Sequence, residues 1–301
     1  MPKVIAVIVN WNNFKDTKEC LRFLGKINYD DFGVVIVDNG STDNSGKDLQ
    51  KEFPQYNYIF NNSNLGFAGG ANLGIKYALN KKCNYVWILN NDTVSPNVNY
   101  LRELVELAEQ RLDCGVIGSL VLNYENEFIQ SEWFTFVPWM GRFIPLNQGM
   151  RLDEIKETTL ALRPKEYLNA ASMLVKSHVF SRAGFFPEDF FLYFEDNVWE
   201  DFVRKVVPNL NICYTSKVFI LHKGASSSGG YKKSVTLDYY DTRNYLYFIK
   251  ESYPRWIIFH IFGSIINKIL PKVIRGEWMR LKYVLYGFRD FLNSKKGKLS
   301  N

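Results

Sequence analysis

The stretch Val4-Ile5-Ala6-Val7-Ile8-Val9-Asn10-Trp11-Asn12 decides the fold. Val4–Val9 is apolar without alternation, the pattern of a strand covered on both faces. Asn10-Trp11-Asn12 follows it directly. The arrangement recurs: Val34–Val37 runs into Asp38-Asn39-Gly40-Ser41-Thr42-Asp43, Tyr56–Phe60 into Asn61 to Gly70, and Tyr85–Leu89 into Asn90-Asn91-Asp92. Asp16–Leu24, Ser45–Glu52, Gly70–Asn80 and Val98–Leu112 read as intervening helices, and Val116–Val121 as a further strand. This is a doubly wound α/β pattern, which gathers its ligand at the carboxyl ends of the strands. One polar cluster would pass as a turn. Clusters at four successive strand ends exceed what turns require.

The 301 residues are 47% hydrophobic and 23% charged, enough for a sizeable core and against global disorder. The formal charge of +6 is uneven: residues 250–301 carry +8 and the rest −2. A basic, aromatic tail on a slightly acidic body predicts an anionic partner surface. Nucleic acid is not the expected one, because no recognition module accompanies the charge. A dehydrogenase is excluded by the lack of Gly-x-Gly-x-x-Gly at the first strand–helix turn. Cys20, Cys83, Cys114 and Cys213 are scattered, as expected in a reducing compartment. Met1-Pro2-Lys3 leads straight into a strand, so no signal peptide is expected. The best membrane-spanning candidate, Trp256–Ile266, reads as too short and broken by His260, Gly263 and Ser264, so no helix is expected to cross a bilayer.

Asp92, ending an apolar strand, is placed to hold a divalent cation, with Asn90 pointing the same way if the chain stays extended. Hard oxygen donors suit Mg²⁺ or Mn²⁺. Such an ion answers the charge that grows on a departing diphosphate. Glu195-Asp196, set after Phe190-Phe191-Leu192-Tyr193-Phe194, offers carboxylates in apolar surroundings, suited to taking a proton from an attacking hydroxyl.

Val9-Asn10-Trp11-Asn12, the 38–43 cluster, Asn64-Leu65-Gly66-Phe67-Ala68-Gly69-Gly70-Ala71-Asn72-Leu73-Gly74 and Leu89-Asn90-Asn91-Asp92-Thr93, in this order, resemble the family-2 glycosyltransferases. More narrowly they are similar to the rhamnosyltransferase-like branch that builds bacterial surface polysaccharides. Phe190–Asp196 and His222-Lys223-Gly224 continue the likeness, which covers roughly residues 3–250. The resemblance implies a Rossmann-like GT-A nucleotide-sugar-binding domain, a nucleotide-diphosphate sugar donor, and inversion at the anomeric carbon. It implies that Asn10 and Asp38 line the base and ribose pocket, and that Asn64, Gly66, Phe67, Gly69, Asn72 and Asn91 serve the donor. Glycines there let backbone N–H groups approach a diphosphate at a helix N-terminus. It implies metal binding by Asp92, Asn90 and His222, with Asn90 standing where many relatives carry Asp. Glu195 and Asp196 become the catalytic acids, Asp196 as base. Two extra residues before Glu200 make Glu200 the alternative base.

On this reading residues 1–235 form the transferase domain (nucleotide half 1–122, acceptor half 123–235), and 236–301 a basic, amphipathic helical extension. Asn123 to Lys165 is irregular and aromatic, as an acceptor-side insertion or lid would be. Trp256–Leu270 and Trp278–Leu292 are expected as helices in a membrane interface, the alternative being core closure or a dimer contact, and Ser294–Asn301 as frayed. The acceptor expected is a glycan or lipid-linked hydroxyl, and the location the cytoplasmic face of a membrane, peripherally bound. Oligomeric state stays open. The competing function is a catalytically silent nucleotide-sugar-binding or scaffold subunit.

Overall fold

The structure, a computed structural model, describes residues 1–224 and 235–299. Its main sheet has four neighbouring parallel strands at one side: β3 (Asn57–Phe60), β2 (Phe32–Asp38), β1 (Val4–Asn10) and β4 (Tyr85–Leu89). Beyond β4 comes β12 (Ser172–Lys176), antiparallel to it, then β6 (Cys114–Asn123), β13 (Asn211–His222) and β10 (Thr159–Ala161). Two-residue β5 (Thr93–Val94) pairs with the end of β13, and β7 (Ile129–Ser131) with β6.

Both faces of the sheet are covered, as the unbroken apolar runs require. Val4, Ala6 and Ile8 point into a core shared with α1 (Phe14–Leu24) and α4 (Tyr100–Gln110), whereas Ile5 and Val7 meet α3 (Gly66–Asn80) and α6 (Glu195–Val206). Helices α2 (Ser45–Glu52) and α5 (Ser177–Ala183) complete the two layers. Helix α3 lies so near the sheet that a Cβ on Gly74 would stand 2.3 Å from Val7 Cγ1. It also begins at Gly66, four residues before the expected start at Gly70. The weak helix formers there are held by burial against the sheet and by capping of Gly66 N–H by Asn64 Oδ1 at 2.7 Å.

The 123–165 segment is more regular than its sequence suggests. A hairpin of β8 (Phe134–Val137) and β9 (Arg142–Pro145) joins β11 (Glu166–Tyr167) in a second, three-stranded sheet. Phe136 and Phe143 project from it onto Phe248 of α7 (Val235–Ser252). The helical extension thus starts inside the hydrophobic core.

Two further expectations for the C-terminal region are corrected. Pro254–Ile274 is one 21-residue helix of mean hydropathy 1.5 and only 11% buried, the one helix among the described residues long and apolar enough by composition to cross a membrane. It contains α8 (Ile257–Ser264) and α9 (Leu270–Ile274). Gly263-Ser264 does not break it, since a helical glycine costs only about 1 kcal/mol. A π-helical turn at Ile265–Ile269 absorbs the bond that Pro271 cannot make. Nor is the tail frayed through residue 299. Following α10 (Trp278–Leu292), Gly297 donates to Asp189 O at 2.6 Å and Leu299 N–H to the Tyr240 hydroxyl at 2.9 Å.

Candidate active site

Parallel register sets Asn10 beside Asp38 at the carboxyl ends of β1 and β2. The buried Asn10 amide donates to Asp38 Oδ1 at 2.9 Å and Ser45 Oγ at 2.9 Å, and accepts from Thr17 Oγ1 at 2.8 Å. Asn91 donates to the same Thr17 hydroxyl at 2.7 Å. Asn10, Asp38 and Asn91 therefore share one buried network, in which Thr17, which the sequence reading overlooked, bridges Asn10 and Asn91.

Asn39, also overlooked within the 38–43 cluster, ties β2 to the glycine-rich loop. Its amide donates to Gly66 O at 2.8 Å and Asn64 Oδ1 at 3.2 Å, and its oxygen accepts from Leu65 N–H at 3.1 Å. Gly66 adopts φ +77°, and a Cβ there would lie 2.0 Å from Phe191 O. Phe67 N–H donates to that same carbonyl at 2.8 Å. A Cβ on Gly69 would press on Leu65 Cβ at 2.6 Å. Asn72 is buried further along α3, donating to Phe186 O and Glu188 Oε1, each at 2.9 Å. Together these contacts fasten the glycine-rich loop to the segment leading into Glu195-Asp196.

Asp92, Asn90 and His222 do meet. β13 pairs His222 with Thr93, bringing His222 Nε2 to 3.2 Å from Asp92 Oδ1 and 3.4 Å from Asn90 Nδ2. Gln130 Nε2 donates to Asn123 Oδ1 at 3.2 Å, which leaves Gln130 Oε1 to accept from His222 Nδ1 at 2.8 Å. That bond fixes the ring with Nε2 on the side of Asp92 and Asn90, the arrangement of a histidine ligand with an outer-shell partner. Among the described residues no group of three His, Cys, Asp or Glu is assembled for a metal. The donor set here is one carboxylate, one imidazole and one amide, chemistry that fits a divalent cation bound with help from the ligand's own oxygens. The Gly/Ser stretch after Gly224 lies outside the described residues.

Glu195 and Asp196 open α6, preceded by Phe191, Tyr193 and Phe194 at φ +65°, +70° and +71°. Bulky side chains rarely adopt this conformation, and such strain gathers at functional sites. Glu195 is buried with one carboxylate oxygen unpartnered, and Asp196 is half-buried. Burial raises both carboxyls above their ordinary range, Glu195 further because Asp196 adjoins it. Glu200 is different. It is fully buried, accepts Leu168 N–H at 3.1 Å and pairs with Arg204 at 3.3 Å. Burial pushes it up to about 8.

A sheet whose strand ends gather amides, carboxylates and a glycine-rich helix start defines a nucleotide-binding α/β protein. Residues 5–169 match the Glycosyl transferase family 2 model, and the chain belongs to that family. The matched stretch stops short of Glu195, Asp196 and His222. The chain is 26% identical to the low-salt glycan biosynthesis hexosyltransferase Agl10 of Haloferax volcanii, over 79% of this chain and 72% of that protein. It is 23% identical to the N-acetylglucosaminyl-diphospho-decaprenol L-rhamnosyltransferase of Mycobacterium tuberculosis, over 65% of this chain and 68% of that one. In fold it resembles the mannosyltransferase PcManGT of Pyrobaculum calidifontis, solved with GDP-Man and Mn²⁺, at a TM-score of 0.57 and 14% identity, over 98% of this chain and 88% of that one.

Proposed function

We propose that the protein is an inverting glycosyltransferase moving a sugar, with rhamnose the leading candidate, from a nucleotide-diphosphate donor to a hydroxyl of a surface-polysaccharide or lipid-linked acceptor. The observation that carries this reading is the Phe67 N–H bond to Phe191 O, which joins the glycine-rich loop to the acid-bearing segment. In the proposed reaction the acceptor oxygen attacks the anomeric carbon. Its proton passes to Asp196, and the bond to the β-phosphate oxygen breaks, the diphosphate leaving with the electron pair. Asp38, steadied by Asn10, is assigned to the nucleoside, and Asn64, Gly66, Phe67 and Gly69 to the donor's diphosphate side. Asn72 and Asn91 support those walls. Asp92, His222 and Asn90 would hold a Mg²⁺ or Mn²⁺ ion, which when bound would supply charge neutralisation for a diphosphate leaving group. The Mn²⁺ and GDP-Man in the PcManGT structure support both assignments by analogy of fold.

The proposal includes a peripheral location at the inner face of a membrane, and the exposed apolar helix supports the membrane contact. Its Ile258, Phe262, Ile266 and Ile274 are exposed, while Lys268 and Lys272 on the other side pair with Asp241 and Asp238 of α7 at 2.7 and 3.1 Å. Those ion pairs favour a helix lying along the surface over one passing through it.

The test is a thermal-shift screen against dTDP-, UDP- and GDP-sugars with and without Mn²⁺, followed by donor turnover. A stabilising donor that is turned over supports the transferase. A donor bound but never cleaved identifies a silent nucleotide-sugar-binding subunit, and failure of every donor to bind removes the reading.

A further inference from the structure

We infer that Arg243 and Asn244 of α7 are positioning residues for the transfer, holding the 189–194 loop in the conformation that presents Glu195 and Asp196. Both are fully buried, and both lie far along the chain from the acids they serve. Arg243 Nε donates to Asn244 Oδ1 at 2.9 Å, which fixes the amide with its nitrogen outward. Asn244 Nδ2 then donates to Phe190 O at 2.6 Å and Leu192 O at 2.7 Å, with Tyr193 O at 3.4 Å. Arg243 Nη2 reaches Asp189 O at 3.5 Å and Phe190 O at 3.3 Å, and its Nη1 holds Gly297 O at 2.7 Å. Phe67 N–H takes the remaining carbonyl, that of Phe191.

Every carbonyl from Asp189 to Tyr193 is thus gripped from outside the loop, and this pair reaches four of the five, sharing that of Asp189 with Gly297 N–H at 2.6 Å. The grip falls where Phe191, Tyr193 and Phe194 hold positive φ, a conformation that relaxes unless its surroundings fix it. It is also costly. The guanidinium is buried with its hydrogen bonds among the described residues going to carbonyls, a hydroxyl and an amide oxygen, none to a carboxylate, and with the faces of Tyr239 and Tyr240 beside it. A buried charge met directly by dipoles, with the Asp290 carboxylate one step away through the Tyr239 hydroxyl, is a poor device for stability alone. Here it fixes the loop between the donor side and the acids.

The inference rests on reading Asp196 as the base, so Asp196→Asn is run in parallel. Asn244→Ala and Arg243→Lys are assayed with the donor found in the screen. A misplacement near 1 Å costs about a hundredfold in rate. The expected result is a kcat lower by about ten- to a hundredfold, with affinity for the nucleoside diphosphate unchanged. The acid limb of the pH–rate profile should also move toward ordinary carboxylate values as the acids gain water. The charged groups bearing on that limb are Glu195 and Asp196 themselves, Glu200 one turn on, and Arg204 beyond it. A native kcat overturns the inference. So does a kcat that falls only in proportion to the folded fraction, with the acid limb unmoved. Failure of both variants to fold assigns the pair to folding and overturns it likewise. If Asp196→Asn stays active while Asn244→Ala does not, the loop matters but the base reading fails.

Discussion

Phe67 N–H donates to the carbonyl of Phe191 at 2.8 Å, and Gly66 beside it passes so close that any side chain would strike that oxygen. The start of α3 and the approach to α6 are therefore one structural unit. Gly66→Ala combines a positive φ with a Cβ placed 2.0 Å from Phe191 O. A strained backbone position of this kind costs about 1–3 kcal/mol, and the clash adds to it. Thermal denaturation should show the loss, and transfer should fall even at temperatures where the variant stays folded, because the loop carrying the acids must shift.

His222 and Gln130 give the metal assignment a test separate from catalysis. Asp92→Ala removes the only carboxylate of the set and should abolish both Mn²⁺ binding and transfer. Gln130→Ala leaves all three ligands but frees the imidazole to rotate, and loss of an outer-shell partner typically weakens metal affinity about 10–100-fold. Titration calorimetry with Mn²⁺ reads this directly. Native affinity in Gln130→Ala, or full activity of the native enzyme in EDTA, removes the assignment.

Ile258, Phe262 and Ile266 fall four residues apart on one exposed face of the 254–274 helix. Burying one such side chain in an apolar phase is worth about 1.5–3 kcal/mol. Replacing the three with serine should weaken co-sedimentation with anionic vesicles by at least about tenfold, since about 1.4 kcal/mol suffices for that. The melting temperature should hardly change, as these side chains touch little protein. Unchanged vesicle binding, with or without the substitutions, leaves no role for this face at a membrane.

The strand ends were legible because buried parallel strands leave unbroken apolar runs, and their polar terminators stand out against them. Asn10, Asp38 and Asp92 could be found that way, and the family likeness supplied His222. Thr17 and Gln130 could not. Each acts through a hydrogen bond created only when distant segments meet, and Gln130 lies in a stretch with no clear periodicity. Arg243 and Asn244 were hidden differently, within an aromatic helix taken for an appendage. The apolar 254–274 helix was misjudged because Trp256–Ile266 read as too short and as broken by His260, Gly263 and Ser264, whereas tertiary ion pairs and one π-helical turn carry the helix through.

Glu200 was the alternative base, and its surroundings give the two acids opposite expectations. Glu200 is sealed from solvent, bonded to Leu168 N–H and Arg204, and offers no face to an acceptor hydroxyl. Asp196 is only half-buried at the start of α6. Glu200→Gln should cost about 1–3 kcal/mol, the range for a disturbed buried hydrogen bond, with the catalytic rate of the folded fraction near native. Asp196→Asn should lower kcat by about 10²–10⁴, the contribution of a positioned general base, while the nucleotide still binds. A base works only when deprotonated, and burial raises the Asp196 pKa. The native rate should therefore fall as pH drops through a value above the ordinary carboxylate range, about 4. In Asp196→Asn that limb should vanish from the residual rate. If Glu200→Gln removes the limb and Asp196→Asn keeps it, proton transfer runs through Glu200, and α6 must turn to expose it during catalysis.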